Sequence, residues 1–483
     1  MQPDAEEQLV YLGLDLGTGS LKAVILDLNG SLLWVGGETY PTDLVDDRAE
    51  IDPALWWDAL VQVVGSAPRD HLGNVRAIGF SGQMHGTVVL DEAGDLLRPA
   101  ILWPDRRADI GVFESIDRDH PGVLGNPVVP GMPGPVLGRL RHNEPDVWRR
   151  LASISTPKDW LRGELADATS TSTDHSDASA SLLYDVGTQD WSSHVVDAIG
   201  LPTGALPDLR PSTAPAGVTG QRAEQLGIPA ATPMAIGAGD AAAALIGLGI
   251  ERPGTVLLNV GTGAQALTII EGPNASCAAS AFHQYRTAGA AADWYAMAAV
   301  VNAGLVLDWV RSVLGLDWGP LYELTTDALT TVDDPVFTPF LLGERDPRVG
   351  LDARAGWSNL SAHHDAAALG RSALLGVASY IAERTRTLQA VTGADRVVLS
   401  GGSAANHGWV QLLTDLLGVD VDVVTDPDVS ARGAAILGAR SIGNDLPPAE
   451  VVRTVSPDAS RSSRASDVLE AFSARLSSQT SQR

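Results

Sequence analysis

The sequence predicts an α/β protein of two related lobes, on three observations. A hairpin motif occurs twice, as Asp15-Leu16-Gly17-Thr18-Gly19-Ser20 and, almost half a chain later, as Asn259-Val260-Gly261-Thr262-Gly263-Ala264. Each copy follows one apolar strand and precedes another, so one supersecondary unit is built twice. The length of 483 residues exceeds what a single ordinary core accommodates. Strands then alternate with helices in the rhythm of α/β folds. The expected division is a first lobe over 1–235, a second over 236–445 and a polar tail over 446–483.

The first hairpin lies within Val10 to Gly37. Val10, Leu12, Leu14 and Leu16 alternate with Tyr11, Gly13 and Asp15, the period of a strand. Gly17-Thr18-Gly19 turns the chain, Leu21 to Leu28 forms a second strand, and Asn29-Gly30 signals a further tight hairpin. The first turn gathers backbone N–H groups, the Thr18 hydroxyl, the Lys22 ammonium and the Asp15 carboxylate. Such a set can hold a phosphate with a hydrated magnesium ion beside it, although DxGT also occurs in ordinary hairpins. The repeat favours the phosphate, because two such turns suit two lobes facing one nucleotide.

Composition removes several classes. A formal charge of −26 repels polyanions, which excludes nucleic acid and anionic membranes as partners. No apolar run approaches the ~18 residues that span a bilayer, and the acidic opening MQPDAEEQ does not read as a signal peptide. The single cysteine, Cys277, leaves no intramolecular disulfide and suits a reducing compartment. The expectation is a soluble cytoplasmic protein. An anionic nucleotide is an awkward ligand for so acidic a chain and needs backbone N–H groups, helix N-termini and a divalent cation. The only lysines are Lys22 and Lys158, and no GxxxxGK[ST] loop is present.

Along the chain, Asp52 to Val64 has helical spacing with Asp52 as the expected cap and a proline in the first turn. The strand Val75 to Phe80 ends in Ser81-Gly82-Gln83-Met84-His85-Gly86, and ligands of α/β sheets gather at such ends. A histidine there serves either as a structural group or as a ligand contact, and its place between two glycines favours the ligand. The strand Pro99 to Trp103 leads into Pro104-Asp105-Arg106-Arg107, either a site loop or a solvated turn with a surface ion pair. A long loop is expected from His120 to Pro135, and helices at Pro145 to Leu151 and Pro157 to Leu165. Thr169 to Ser181 is polar like a linker, but Leu182-Leu183-Tyr184 anchors it at once, so order is expected.

The second lobe opens on Gly237-Ala238-Gly239-Asp240 and a small-residue helix from Ala241 to Leu248. Asp240 is either an N-cap or a carboxylate projecting into a cleft. Val300 to Leu314 and Ser361 to Val391 have helical spacing, with Gly393 as a stop. The strand Arg396 to Leu399 runs into Ser400-Gly401-Gly402-Ser403 before the helix Trp409 to Leu417. Glycines at that place let a planar ligand lie against the backbone. A strand at Val419 to Val424 and a helix at Ala431 to Gly443 complete the lobe.

DLGTGSLKAVILD, SGQMHG, LWPDRR, TPKDWLRGEL, TDHSDASASLLYD, GAGDAAAA, NVGTGA, LLGERDP and LSGGSAANHGWVQLLTDLLGV occur in the order found in the FGGY carbohydrate kinases, which the chain resembles from about Tyr11 to Gly443. SGQMHG followed by LWPDRR is most similar to the xylulokinase branch. The resemblance implies two actin- and hexokinase-like (ribonuclease H-like) lobes that close on ATP, magnesium and a sugar, and ATP-dependent conversion of D-xylulose to D-xylulose 5-phosphate. It implies Asp240 as general base, Met84, His85 and Asp105 on the sugar side, and Asp15 orienting magnesium. Thr18, Gly19 and Lys22 would face the phosphates from one lobe, Gly261 and Thr262 from the other, and Gly401, Gly402 and Asn406 would border the adenosine. A homodimer is the assembly expected with it.

The chain departs from the xylulokinase pattern at Ala241, where asparagine usually follows the catalytic aspartate, at Gly19-Ser20, where Ser-Gly is common, and at Ser403, usually a third glycine. Ala241 leaves another ketopentose or a polyol as the alternative substrate. The rivals from other classes are an actin-like nucleotide switch without a sugar and a phosphatase in which water replaces the sugar. A switch has no reason to keep Met84, His85, Asp105 and Asp240 together, and SGQMHG speaks against the phosphatase.

Overall fold

A computed structural model describes residues 9–119, 122–289, 293–331 and 333–480; the opening MQPDAEEQ, His120 at the head of the long loop and the last three residues of the tail lie outside the described residues. The chain divides into two units. One comprises Met1–Glu251, Tyr285–Trp294 and Asp428–Ala449; the other comprises Arg252–Gln284, Tyr295–Pro427 and Glu450–Arg483.

In the first unit, β1 (Val10–Leu16), β2 (Ser20–Asp27) and β3 (Leu32–Thr39) form an antiparallel meander, with Gly30 at φ 76° in its second turn. β4 (Val75–Gly82) pairs parallel with β1, and the short strands β5 (Pro233–Ala235) and β6 (Ala238–Gly239) follow along β4. The alternation in β1 separates two buried faces rather than a core face from solvent. Val10, Leu12, Leu14 and Leu16 join Trp56, Leu60 and Val63 of α1 (Ala54–Ser66) and Leu161 and Leu165 of α2 (Pro157–Ala166) in one core cluster. Asp52 does not cap α1: Pro53 holds that position, and Asp52 Oδ1 accepts from the Ala54 N–H at 3.0 Å. The polar stretch from Thr169 to Ser181 is ordered, with a strand at Ser172–Asp174 and a buried helical turn at His175–Ser179. α3 (Asp240–Gly247) leaves directly from β6.

The second unit repeats the plan. β7 (Thr255–Val260) and β8 (Ala264–Ile270) form the second hairpin, β9 (Trp294–Val300) continues the sheet, and β10 (Arg396–Ser400) pairs parallel with β7. With β11 (Val421–Val423) the sheet runs β9-β8-β7-β10-β11, matching β3-β2-β1-β4 of the first unit. The registers coincide as well: Asp15 lies opposite Lys22 and Ser81, and Asn259 opposite Gln265 and Ser400. α4 (Gly304–Leu314) begins four residues later than its spacing suggests, since β9 runs through Val300. α5 (Ala366–Thr392) is capped by Asp365 and stopped by Gly393 at φ 76°, and α6 (His407–Leu417) is capped by Asn406.

The chain then returns to the first unit with α7 (Val429–Ser441), which covers the second face of β1 at backbone contact. A Cβ on Gly13 would lie 2.0 Å from the Ala431 carbonyl oxygen, and one on Gly79 of β4 1.6 Å from that of Ala434. Across α7, a Cβ on Gly433 would lie 1.8 Å from the Ala243 oxygen and one on Gly247 2.0 Å from that of Val429. Only glycine permits such approach. Gly79→Ala is therefore expected to lower stability by about 3 kcal/mol, read from urea unfolding; a loss under ~1 kcal/mol would mean that α7 can step back without cost.

Candidate active site

The β1–β2 turn is held in place by its neighbours in the first unit. Asp15 is buried at the end of β1, and its Oδ1 accepts from the Ser81 hydroxyl of β4 at 2.5 Å. Gly17 O accepts from the Tyr40 hydroxyl at 2.6 Å and from Gln83 Nε2 at 3.1 Å, which ties the turn to β3 and to the SGQMHG loop. Thr18 accepts at its hydroxyl from Trp103 Nε1 at 2.9 Å and at its carbonyl from the Thr42 hydroxyl at 3.0 Å. Gly19 is exposed, and a Cβ there would meet nothing within 4 Å.

One residue of this site was not legible in the sequence. Asp428 caps α7, accepting from the Ala431 N–H at 2.8 Å, and its Oδ2 lies 2.9 Å from Lys22 Nζ. The Asp428 charge raises the Lys22 pKa above the usual ammonium value. Asp15 is pushed well above the carboxylate range, first by burial and then by the charges of Asp428 and Asp240, against the Ser81 bond and Lys22. Asp240 is pushed up to about 6 by burial, with Asp428 adding to it and the bond from Ala241 N–H opposing.

Asp240 is the first residue of α3 rather than its cap. Gly239 holds the cap position in extended backbone, and Asp240 Oδ1 accepts from the Ala241 N–H at 2.7 Å. Gly239 brings this turn against the SGQMHG loop, since a Cβ on it would lie 2.9 Å from Met84 Cγ and 3.3 Å from Asp177 Oδ1. His85 adopts φ 69° and is half-buried, with Nδ1 2.6 Å from Ala180 O and its ring edge-on to Tyr285 at 5.9 Å. A carbonyl only accepts, so Nδ1 carries the hydrogen.

Asp105 is buried and engaged within the protein. It accepts from the Ala49 N–H at 3.0 Å and from Arg107 Nε and Nη2 at 2.9 and 2.6 Å, while Arg107 also binds Glu50. Burial raises its pKa, but these bonds prevail and hold it below the ordinary value. The turn is thus a buried ion pair, not a solvated one.

Beneath the SGQMHG loop, the other lysine forms a buried cluster that sequence reading left as plain helix. Lys158 Nζ lies 2.9 Å from Asp159, 3.2 Å from Asp174 and 3.0 Å from Asp177. Arg162 pairs with Asp159 and donates to Ile236 O at 2.6 Å. Burial pushes Asp177 up to about 7, with Asp174 and Asp159 adding to it and Lys158 opposing.

In the second unit, Gly261 and Thr262 border a pocket of ≈ 520 Å³ with Gly402, Ser403, Trp318 and Tyr322. Trp318 stacks on Tyr322 with centroids 5.5 Å apart. Gly401 turns at φ 95°, where a Cβ would sit 2.6 Å from Val260 O; Gly402 and Gly261 would meet nothing within 4 Å. Ser403 donates to Val260 O at 3.1 Å, a use for the hydroxyl that departs from the third glycine. Asn406 accepts from the Trp409 N–H at 2.9 Å, so its carbonyl is occupied by the cap of α6.

Asp428→Asn separates the two roles of that residue. Asparagine caps about as well as aspartate, so a role confined to capping leaves turnover unchanged. If Asp428 holds Lys22 in place, kcat/KM for ATP is expected to fall about tenfold with the melting temperature preserved.

The chain matches the FGGY family of carbohydrate kinases in both of its domains, the N-terminal one over residues 10–247 and the C-terminal one over 256–442. It is 30% identical over 469 residues to a xylulose kinase of Escherichia coli, covering 94% of this chain and 95% of that protein. It is 32% identical to a xylulose kinase of Klebsiella pneumoniae, with 89% of each chain covered. Among solved structures, a protein described as a xyloylose kinase from Brucella ovis superposes with a TM-score of 0.88 at 28% identity, over 98% of this chain and 100% of that one. The chain therefore belongs to the FGGY family of carbohydrate kinases, ATP-dependent enzymes, and its two units have the actin- and hexokinase-like α/β fold.

Proposed function

We propose that the protein transfers the γ-phosphoryl group of ATP to the O5 hydroxyl of D-xylulose, giving D-xylulose 5-phosphate and ADP, with Asp240 as general base. The observation that carries this is the junction of Asp240 with the sugar-side loop, where Gly239 seats against Met84 and the Asp240 carboxyl is tuned to about 6. A sugar hydroxyl becomes nucleophilic as it loses its proton, and Asp240 accepts that proton as the O–P bond forms and the β–γ bridge breaks. His85 and Met84 orient the sugar, and the Gly17–Lys22 turn and the Gly261–Thr262 turn cradle phosphates through backbone N–H groups and the Lys22 ammonium.

The acidic surroundings fit magnesium. Asp15 offers a hard carboxylate oxygen whose charge is disfavoured by burial and by two further aspartates, the situation a divalent cation relieves. Asp15 would hold the ion through water, with phosphate oxygens completing its shell. Once bound, the ion neutralises phosphate charge. A cytoplasmic homodimer is part of the same reading; among the described residues no helix is long and apolar enough to cross a membrane.

A second acceptor is favoured by one observation. Ala241 is buried beside Asp240 and lacks the amide usual there, so a ketopentose or polyol of different hydroxyl pattern is the alternative. A panel of ketopentoses, polyols and deoxysugars scored by ADP release decides between them.

Asp240→Asn keeps size and removes basicity, so kcat is expected to fall ~10²-fold or more, with both ligands still bound by calorimetry. Turnover within a few-fold of the parent protein would rule out the proposed base. The base works only when ionised, so kcat/KM is expected to fall as pH drops below about 6; a flat acidic limb would contradict the assignment.

A further inference from the structure

The loop Leu341 to Pro347, LLGERDP, has no part in the reading above. It is wound around Asn302, whose side chain is fully buried. Asn302 Nδ2 donates to Gly343 O at 2.6 Å and to Glu344 Oε2 at 3.2 Å, and its Oδ1 accepts from the Leu342 N–H at 3.1 Å. The Glu344 carboxylate, 1% exposed, also accepts from the Val301 N–H at 3.1 Å and from the Arg345 N–H at 2.9 Å. Three donors thus converge on one buried carboxylate. Gly343 makes the bend possible at φ 71°, where a Cβ would sit 2.0 Å from Leu351 O.

The turn anchored in this way also grips the second hairpin. The Gly304 N–H donates to Gly261 O at 3.1 Å and the Leu305 N–H to Thr262 O at 2.9 Å. A Cβ on Gly304 would lie 2.3 Å from Gly261 O, and one on Gly263 2.9 Å from Val300 O. The backbone from Val300 to Leu305 therefore touches Glu344 and Asn302 on one side and the hairpin on the other.

We infer that Glu344 is a positioning residue for the nucleotide phosphates, fixing the 301–305 turn through Val301 and Asn302 and thereby the backbone of Gly261 and Thr262. The inference rests on the proposed reading of that hairpin as a phosphate grip. A grip made of backbone N–H groups works only when the backbone is held to a fraction of an ångström, and the one side chain at the hairpin tip, that of Thr262, is exposed rather than packed. Charge-assisted bonds are the strong ones, and removing the carboxylate takes the acceptor from the partly buried Val301 N–H and one of its two acceptors from the buried Asn302 amide.

The test compares Glu344→Ala, Glu344→Gln and Gly261→Val in the full-length chain, by kinetics with ATP and D-xylulose varied in turn, ADP titration calorimetry and thermal melting. Glu344→Ala is expected to raise the KM for ATP about tenfold and Glu344→Gln about threefold, with the sugar KM within about twofold of the parent. Gly261 has open space at its Cβ position, so the valine there intrudes on the nucleotide alone and weakens ADP binding. If it does so while both Glu344 variants only melt lower, Glu344 is a structural anchor and the inference is overturned, with the hairpin reading intact. Equal shifts in both KM values would mean general loosening and overturn it too. If Gly261→Val binds ADP as the parent does, the hairpin reading falls and takes the inference with it. Where Glu344→Ala fails to fold, the near-isosteric Gln variant carries the comparison.

Discussion

The candidate site depends on the backbone contact of α7 with β1, β4 and α3. Glycines at 13, 79, 247 and 433 let carbonyl groups approach where any Cβ would collide. Interiors so packed have no slack, so the N-terminus of α7 is fixed relative to the ends of β1 and β4 and the start of α3. Asp428 at that N-terminus then acts on Lys22, Asp15 and Asp240 together. Side-chain packing alone would leave these groups freer to separate. The Ser430 hydroxyl reinforces the arrangement by donating to the Asp240 carbonyl at 3.1 Å.

That arrangement is electrostatically unfavourable in itself. A carboxyl whose pKa is raised by folding protonates more readily in the native state than in the unfolded chain. Its cost to stability therefore appears as pH rises above the unfolded value, about 4 for aspartate, and is complete above the native value, about 6 for Asp240. At neutral pH the fold carries this cost, and the rest of the core offsets it. Both lysines of the chain are spent on aspartates, Lys22 on Asp428 and Lys158 on Asp159, Asp174 and Asp177. For an anionic ligand the Lys22 charge at the first hairpin is therefore partly offset by Asp428, which is why a divalent cation beside it suits the site chemically.

What the sequence reveals depends on how local the cause is. The two hairpins, the Gly393 stop and the order of strands and helices follow from short-range patterns, and so do Asp15, Lys22 and Asp240 as candidates. Asp428 escaped because DPD reads as an ordinary turn, and its partner Lys22 lies some four hundred residues earlier. The Asp105 turn stayed open between a site loop and a solvated ion pair because Glu50 and Ala49, which help bury and bond it with Arg107, come from a separate strand. The late start of α4 has the same origin: residues 301 and 302 have helical spacing, but Glu344 and Asn302 bind one another in a turn. Tertiary hydrogen bonds overrule local propensity in each case. The ordered set of motifs already resembled the FGGY kinases, although no single motif could fix the family, and comparison with relatives established it.

The duplicated sheets allow one further step. At matching registers the first unit places an aspartate against a serine with a lysine opposite, and the second an asparagine against a serine with a glutamine opposite. The serine bond is short in the charged copy, 2.5 Å, and long in the neutral one, 3.5 Å. One scaffold thus presents an ionisable turn and an uncharged turn. A carboxylate beside a phosphate repels it unless a cation intervenes, whereas an amide in the same place adds no like-charge penalty. Under the proposed reading the first copy is suited to the metal side of the nucleotide and the second to direct backbone contact with phosphate. The two copies therefore differ by two charges, the carboxylate and the ammonium of the first against the two amides of the second, at positions that the strand register places at the end of the sheet.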